Sequence, residues 1–140
     1  MWARLKRWLY RGNRQSAFVR QINRAVAWLH AAGLGRWLAF PLVMTRHEGE
    51  RYLVSMLGRD ARWVRNVIAA GGHARIRRRG IEEVCLDVVA DDRKGPILRA
   101  YLADAPGARP HIPLALDAPL SAFASAAPNF PVFRIRSAAD

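Results

Sequence analysis

The sequence predicts an α+β domain organised around a small, partly open antiparallel barrel. Three observations support this: short apolar runs bounded by glycine- or charge-rich turns, amphipathic helical stripes inserted between those runs, and a length of 140 residues, enough for one folded unit with a real core. The formal net charge is +12, from 23 basic against 11 acidic residues, and every basic residue except Lys6 and Lys94 is an arginine. Arginine's planar fork suits bidentate binding of phosphate or carboxylate, so an anionic partner is expected.

The elements follow in order. Residues 1–47 hold nine Arg and Lys and no acid, and the first carboxylate is Glu48. Within that stretch Trp2, Leu5, Trp8 and Leu9 share one helical face, Arg4, Arg7 and Arg11 gather opposite, and Gly12-Asn13 ends the pattern. A second helix is predicted from Gln15 or Ser16, carrying Phe18, Ile22, Ala25, Val26 and Leu29 at spacings of three and four, with a stop at Gly33-Leu34-Gly35. The chain then divides into basic N-terminal helices over 1–36 and a barrel over 37–140, built as one folding unit.

From Trp37 the texture changes. Two apolar runs, Leu38–Met44 and Tyr52–Leu57, flank the charged turn Arg46-His47-Glu48-Gly49-Glu50 and predict a β-hairpin. Arg59–Ala70 places Ala61, Val64, Val67 and Ile68 on one helical stripe, and Gly71-Gly72 stops it. Strands are predicted over His73–Arg78 and Glu82–Val89, on either side of Gly80. Pro96 fits the first turn of a helix reaching Ala103. Pro106, Gly107, Pro110 and Pro113 mark an extended segment, followed by a short helix over Pro119–Ala126 and a closing strand over Val132–Ile135.

Several classes of chemistry find no support. Cys85 is the only cysteine, which excludes an internal disulfide and makes a cytoplasmic location the expectation. Met1–Arg11 has neither the apolar run of a signal peptide nor the length of a membrane span. The histidines at 30, 47, 73 and 111 are scattered without metal-ligand spacing, so no metal is expected. Gly33-x-Gly35 lacks the third glycine of a dinucleotide fingerprint and reads as a helix stop. Glu82-Glu83 reads as solvated charge, and Cys85 as a small buried strand residue.

What stands out is the run from Tyr52 to Asn66. An apolar strand leads into a turn and then a helix start rich in donors, where N–H groups can hold an anion. Trp63, Arg65 and Asn66 can add an indole N–H, a guanidinium and an amide. The alternative is that Trp63 packs in the core and Arg65 faces solvent.

The run Gly49-Glu-Arg-Tyr-Leu-Val-Ser-Met-Leu-Gly58, then Trp63-Val-Arg-Asn66, Ala69-Ala-Gly-Gly72 and Arg77-Arg-Arg-Gly80, resembles the nitroreductase family of deazaflavin-dependent oxidoreductases. Ile97–Leu102, Ala105–Pro113 and Pro131–Ile135 extend the likeness over residues 38–136. The resemblance implies a split β-barrel of the flavin-reductase-like kind, binding 8-hydroxy-5-deazaflavin (coenzyme F-420) in preference to FMN. The cofactor would pass hydride to a small-molecule electron acceptor: a nitro compound, a quinone or an activated alkene. It also implies that Val54, Ser55, Met56, Leu57 and Gly58 lie along the cofactor ring with Phe40 and Pro41 nearby, and that Gly35, Arg36, Trp63, Arg65 and Asn66 seat its phosphate. Ser55 also reads as a plain structural serine. Tyr101 and His111 are the candidate proton donors.

Members of that family place a strand and a loop of the type Gly-Arg-Arg-Ser-Gly-Arg before the strand that reads Phe40-Pro-Leu-Val43 here. This chain reads Ala31-Ala-Gly-Leu-Gly-Arg36 at that place, where only Gly35 and Arg36 fit and the strand is missing. A barrel without that strand has an open edge, which a second copy would cover, so a homodimer is expected. The competing function is a non-catalytic basic module for an anionic membrane surface or another polyanion. It would act through residues 1–11, as a protein peripheral to the inner face of the membrane, and through Arg75, Arg77, Arg78 and Arg79. Nucleic acid is not expected, because aromatic residues are not interleaved with the second basic cluster and no reading helix is recognisable.

Overall fold

The computed structural model describes residues 26–33 and 36–138, with side chains from residue 41 onward. The helix over residues 1–11, the start of the second helix and Gly35 lie outside the described residues. Among the described residues, six antiparallel strands form a closed barrel. Its order is β1 (Val26–Gly33), β2 (Arg36–His47), β3 (Glu50–Val54), β6 (Val132–Ser137), β5 (Ile81–Val88) and β4 (His73–Arg77), which pairs back onto β1. Among the described residues, three α-helices complete the α+β fold: α1 (Arg62–Ala69), α2 (Lys94–Asp104) and α3 (Leu120–Ala126).

The first strand corrects the sequence reading twice. Val26–Gly33 is not the end of a helix but a strand, paired with β2 from Val26↔Val43 to Gly33↔Arg36 and with β4 from Trp28↔Arg77 to His30↔Arg75. The strand that the sequence reading leaves out is therefore present, the described barrel includes Val26–Gly33 ahead of residue 37, and Gly33 ends a strand instead of a helix. The physical reason is tertiary. Two apolar positions three apart cannot separate helix from strand in so short a run, and here the segment satisfies two otherwise open edges at once. With the barrel closed, the unpaired edge that argued for a second copy is gone.

The other elements follow the predicted order. At the β2–β3 turn Glu48 has φ 50° and Gly49 φ 79°, the pair of left-handed residues that a two-residue hairpin loop needs, and His47 faces Glu50 across it. Strand β3 ends at Val54, so Met56 and Leu57 belong to the following turn and not to the strand. Between α1 and β4, Gly72 has φ 85°, and a Cβ on it would stand 2.7 Å from the Leu86 carbonyl oxygen.

The barrel positions two cores. Inside it, Met44, Leu53, Ile76, Leu86, Phe133 and Ile135 meet Trp63, Val64 and Val67 of α1, which packs against β1. Alternation along β3 turns Val54 outward, into a second cluster with Ile97, Leu98, Tyr101 and Leu102 of α2 and Phe123 of α3. Helix α2 lies across β2, where the fully buried Thr45 hydroxyl donates to the Asp104 carboxylate.

Candidate functional site

The candidate site is the turn and helix that follow β3. Ser55 is buried and closes the turn on itself: its hydroxyl donates to the Gly58 carbonyl at 2.6 Å, and the Gly58 N–H donates to the Ser55 carbonyl at 3.3 Å. Its role in the structure is to shape the turn. Gly58 sits at φ 86°, in the left-handed region that favours glycine.

A second turn, at residues 127–131, pins the first. The Ser55 N–H donates to the Pro131 carbonyl at 2.9 Å, and Arg59 Nε donates to the Pro128 carbonyl at 2.9 Å. A Cβ on Gly58 would stand 3.4 Å from the Asn129 carbonyl oxygen. The pinning turn is itself held by Lys94, only 5% exposed, whose ammonium donates to the Ala127 carbonyl at 3.1 Å and pairs with Asp91 at 2.7 Å. The Lys94 hydrogen bond holds the Asp91 carboxyl below its ordinary value, and the Arg59 charge adds to the pull. Met56 is half-buried and Leu57 is exposed on the resulting rigid loop.

Helix α1 begins at once after this loop. Its N-cap is Ala61, so no side chain caps its first N–H groups, and no acid occupies the first turn. The Trp63 ring turns into the core, its centroid 5.6 Å from that of Phe133 with the planes at 60°, as the alternative reading of this residue has it. Arg65 stays exposed and meets Asp60 at 3.3 Å, a pair between two open side chains that contributes little to stability. Asn66 is 8% exposed, and its Nδ2 has no hydrogen-bond partner.

Val54 ends β3, and Ser55, Met56, Leu57, Gly58, Arg65 and Asn66 follow in one continuous loop and helix, with Val54 and Ser55 serving as scaffold. Phe40 and Pro41 lie on β2, opposite Leu29 and Trp28 of β1, and Arg36 opens β2 across from Gly33. Because β1 runs past His30↔Arg75, Gly33 and Arg36 lie at the end of the barrel where the chain passes from α1 into β4. Tyr101 is buried among the helices, and burial pushes its phenol well above the ordinary value, so it stays neutral. His111 is exposed beyond α2. Tyr101 belongs to the same buried cluster as Val54, with Met56 packed against it. The sequence reading missed Lys94, Asp60 and the pinning turn; the available signal was Ala127-Pro-Asn-Phe-Pro131, a proline-rich turn just before a strand.

No family model and no curated protein matches the chain. Solved structures do. An Agrobacterium tumefaciens protein of unknown function aligns at TM-score 0.60 and 14% identity, over 91% of this chain, which spans only 56% of that one. An F420-H2 dependent reductase, FDR-A, aligns at TM-score 0.58 and 15% identity, over 81% of this chain and 95% of its own. An FAD and heme binding protein from Mycobacterium smegmatis aligns at TM-score 0.54 and 16% identity, over 92% and 69%. Identities this low establish a shared fold, and the chain has the α+β split-barrel architecture of flavin-reductase-like structures.

Proposed function

We propose that this protein is a reductase that binds 8-hydroxy-5-deazaflavin and serves hydride transfer to a small electron acceptor, a nitro compound, quinone or activated alkene. The observation that carries the reading is Asn66 Nδ2, a buried amide donor with no partner. Such a group costs about 1–3 kcal/mol when left unpaired, a cost that a ligand with phosphate oxygens would relieve. It sits one turn along a helix whose first N–H groups have no side-chain cap, next to an arginine only loosely tied to Asp60. Those three features suit the anionic part of a cofactor.

The residues present fit the group. Asn66, Arg65 and the first N–H groups of α1 would hold the phosphate, with Arg36 as a further cation, while Met56, Leu57 and Gly58 would meet the ring. When bound, the deazaflavin supplies a hydride, and FMN is the less favoured occupant. The chain's own part is binding, orientation and exclusion of water. Lys94, Arg59 and Ser55 keep the loop in one shape, so little ordering remains to be done on binding. Two fold neighbours, a reductase dependent on F420-H2 and a protein binding FAD and heme, support a redox cofactor of this general class.

The basic-module reading rests chiefly on residues 1–11, outside the described residues; among the described ones, no helix is long and apolar enough to cross a membrane. Turnover separates the two functions. Reduced deazaflavin mixed with protein and a quinone should lose its reducing equivalents faster than without protein, and an unchanged rate across several acceptors would refute the reductase.

A further inference from the structure

The geometry points to a second ligand site, a cleft for a diphosphate at the mouth of the barrel opposite α1. The β2–β3 and β4–β5 hairpins meet at that mouth. Arg51, on its rim, lies four residues before Ser55, about 13 Å along β3 at ~3.3 Å per residue. The inference goes beyond the cofactor reading and does not depend on it.

Two adjoining clefts open there, of about 290 and 410 Å³, sizes typical of small-ligand sites. They share Arg46 and Arg51. The first adds Arg78 and Arg79 over an apolar floor made by Met44 and Ile76, and the second adds Arg134 and Arg136. Six arginines thus face two glutamates, Glu50 and Glu82, among the described lining residues.

The arginines are not equivalent. Arg51 is fixed by a two-pronged pair with Glu82, at 2.8 Å for each contact, and Arg134 and Arg136 share Asp87 at 3.4 and 3.0 Å. These acids orient part of the wall and leave it net positive. Arg46 and Arg79 are exposed and make no ion pair among the described residues. A fixed guanidinium flanked by uncommitted ones is suited to phosphate oxygens. Arg46 and Arg51 line both clefts and have further arginines on either side, and this concentration of cations suits the higher negative charge of a diphosphate better than that of a single phosphate. Both a soluble diphosphate and a lipid headgroup with two phosphates have this chemistry.

Calorimetric titration of the full chain with inorganic pyrophosphate at low salt tests the site. Saturable one-to-one binding is expected, and the pair Arg46→Gln with Arg79→Gln should weaken it about tenfold or more. The charge-matched pair Arg93→Gln with Arg109→Gln, exposed and outside both clefts, should stay within about twofold. Thermal unfolding of both variants controls for folding. Absence of saturable binding, or equal loss in the two variants, would overturn the proposal, the latter by showing that bulk charge is responsible. With pyrophosphate binding established, sedimentation with cardiolipin vesicles identifies the source. Loss of sedimentation in the Arg46, Arg79 variant supports a lipid headgroup in the cleft, whereas protein left in the supernatant supports a soluble diphosphate.

Discussion

Replacing Asn66 with leucine should make the free protein more stable and the cofactor complex weaker. The side chain is 8% exposed, so water reaches it little, and Nδ2 finds no acceptor. A buried donor without a partner costs about 1–3 kcal/mol, whereas an apolar group of similar shape in its place is nearly neutral or stabilising. Asn66→Leu should therefore raise the unfolding free energy by about 1 kcal/mol, with leucine's branching offsetting part of the relief. On the proposed function the same change removes a donor to the cofactor phosphate, and deazaflavin affinity should fall about tenfold, the equivalent of ~1.4 kcal/mol. Urea unfolding with and without saturating deazaflavin reads both quantities in one experiment. The wild type should gain more from the ligand than the variant does, while the variant leads in its absence. A variant that loses stability without ligand and keeps full affinity would refute the reasoning, because Asn66 would then be an ordinary structural residue.

Three further outcomes follow from the same geometry. Lys94→Met keeps the aliphatic stem but leaves the Ala127 carbonyl without its charged donor, so urea unfolding should show a loss of about 2 kcal/mol, with Asp91→Asn costing less because Asp91 is half exposed. Gly71 and Gly72 both have positive φ, yet a Cβ on Gly71 meets open space while one on Gly72 meets the Leu86 oxygen; Gly71→Ala should cost about 1 kcal/mol and Gly72→Ala at least ~3 kcal/mol. Hydrogen bonds from Arg136 and from Arg51 lower the Asp87 and Glu82 carboxyls from ordinary values of 3.8 and 4.5. Their folded values lie below the unfolded ones, so their contribution is complete above the ordinary range and is lost as pH falls through the lowered values. The acid limb of a stability profile should accordingly be shallower in Glu82→Gln, and an unchanged limb would contradict this.

The sequence revealed much of this fold because its strands are short, alternating and bounded by turn chemistry of an obvious kind. Glu48-Gly49, Gly71-Gly72 and Gly80 each mark a turn or helix stop where the structure has one. It failed at Val26–Gly33, whose strand identity comes from pairing on one side with β2, the next element, and on the other with β4, which lies far along the chain outside any local window. At the site, Arg65 and Asn66 were legible as donors, but the inward turn of Trp63 depends on Phe133, seventy residues on. The support from Lys94 and the 127–131 turn was hidden for the same reason. A lysine in sequence reads as surface charge, and only the packed structure shows it 5% exposed on a carbonyl. The arginine clefts, too, join positions from three separate hairpin and strand ends.

The central claim is that the loop and helix from Ser55 to Asn66 hold a deazaflavin. Fluorescence titration of 8-hydroxy-5-deazaflavin with the full chain, beside FMN as competitor, tests it most directly. Saturable quenching or a spectral shift is expected at micromolar protein, weakened by Arg65→Ala more than by Arg20→Ala and poorly reversed by FMN. No spectral change with saturating cofactor, or equal effects of the two arginine variants, would contradict it.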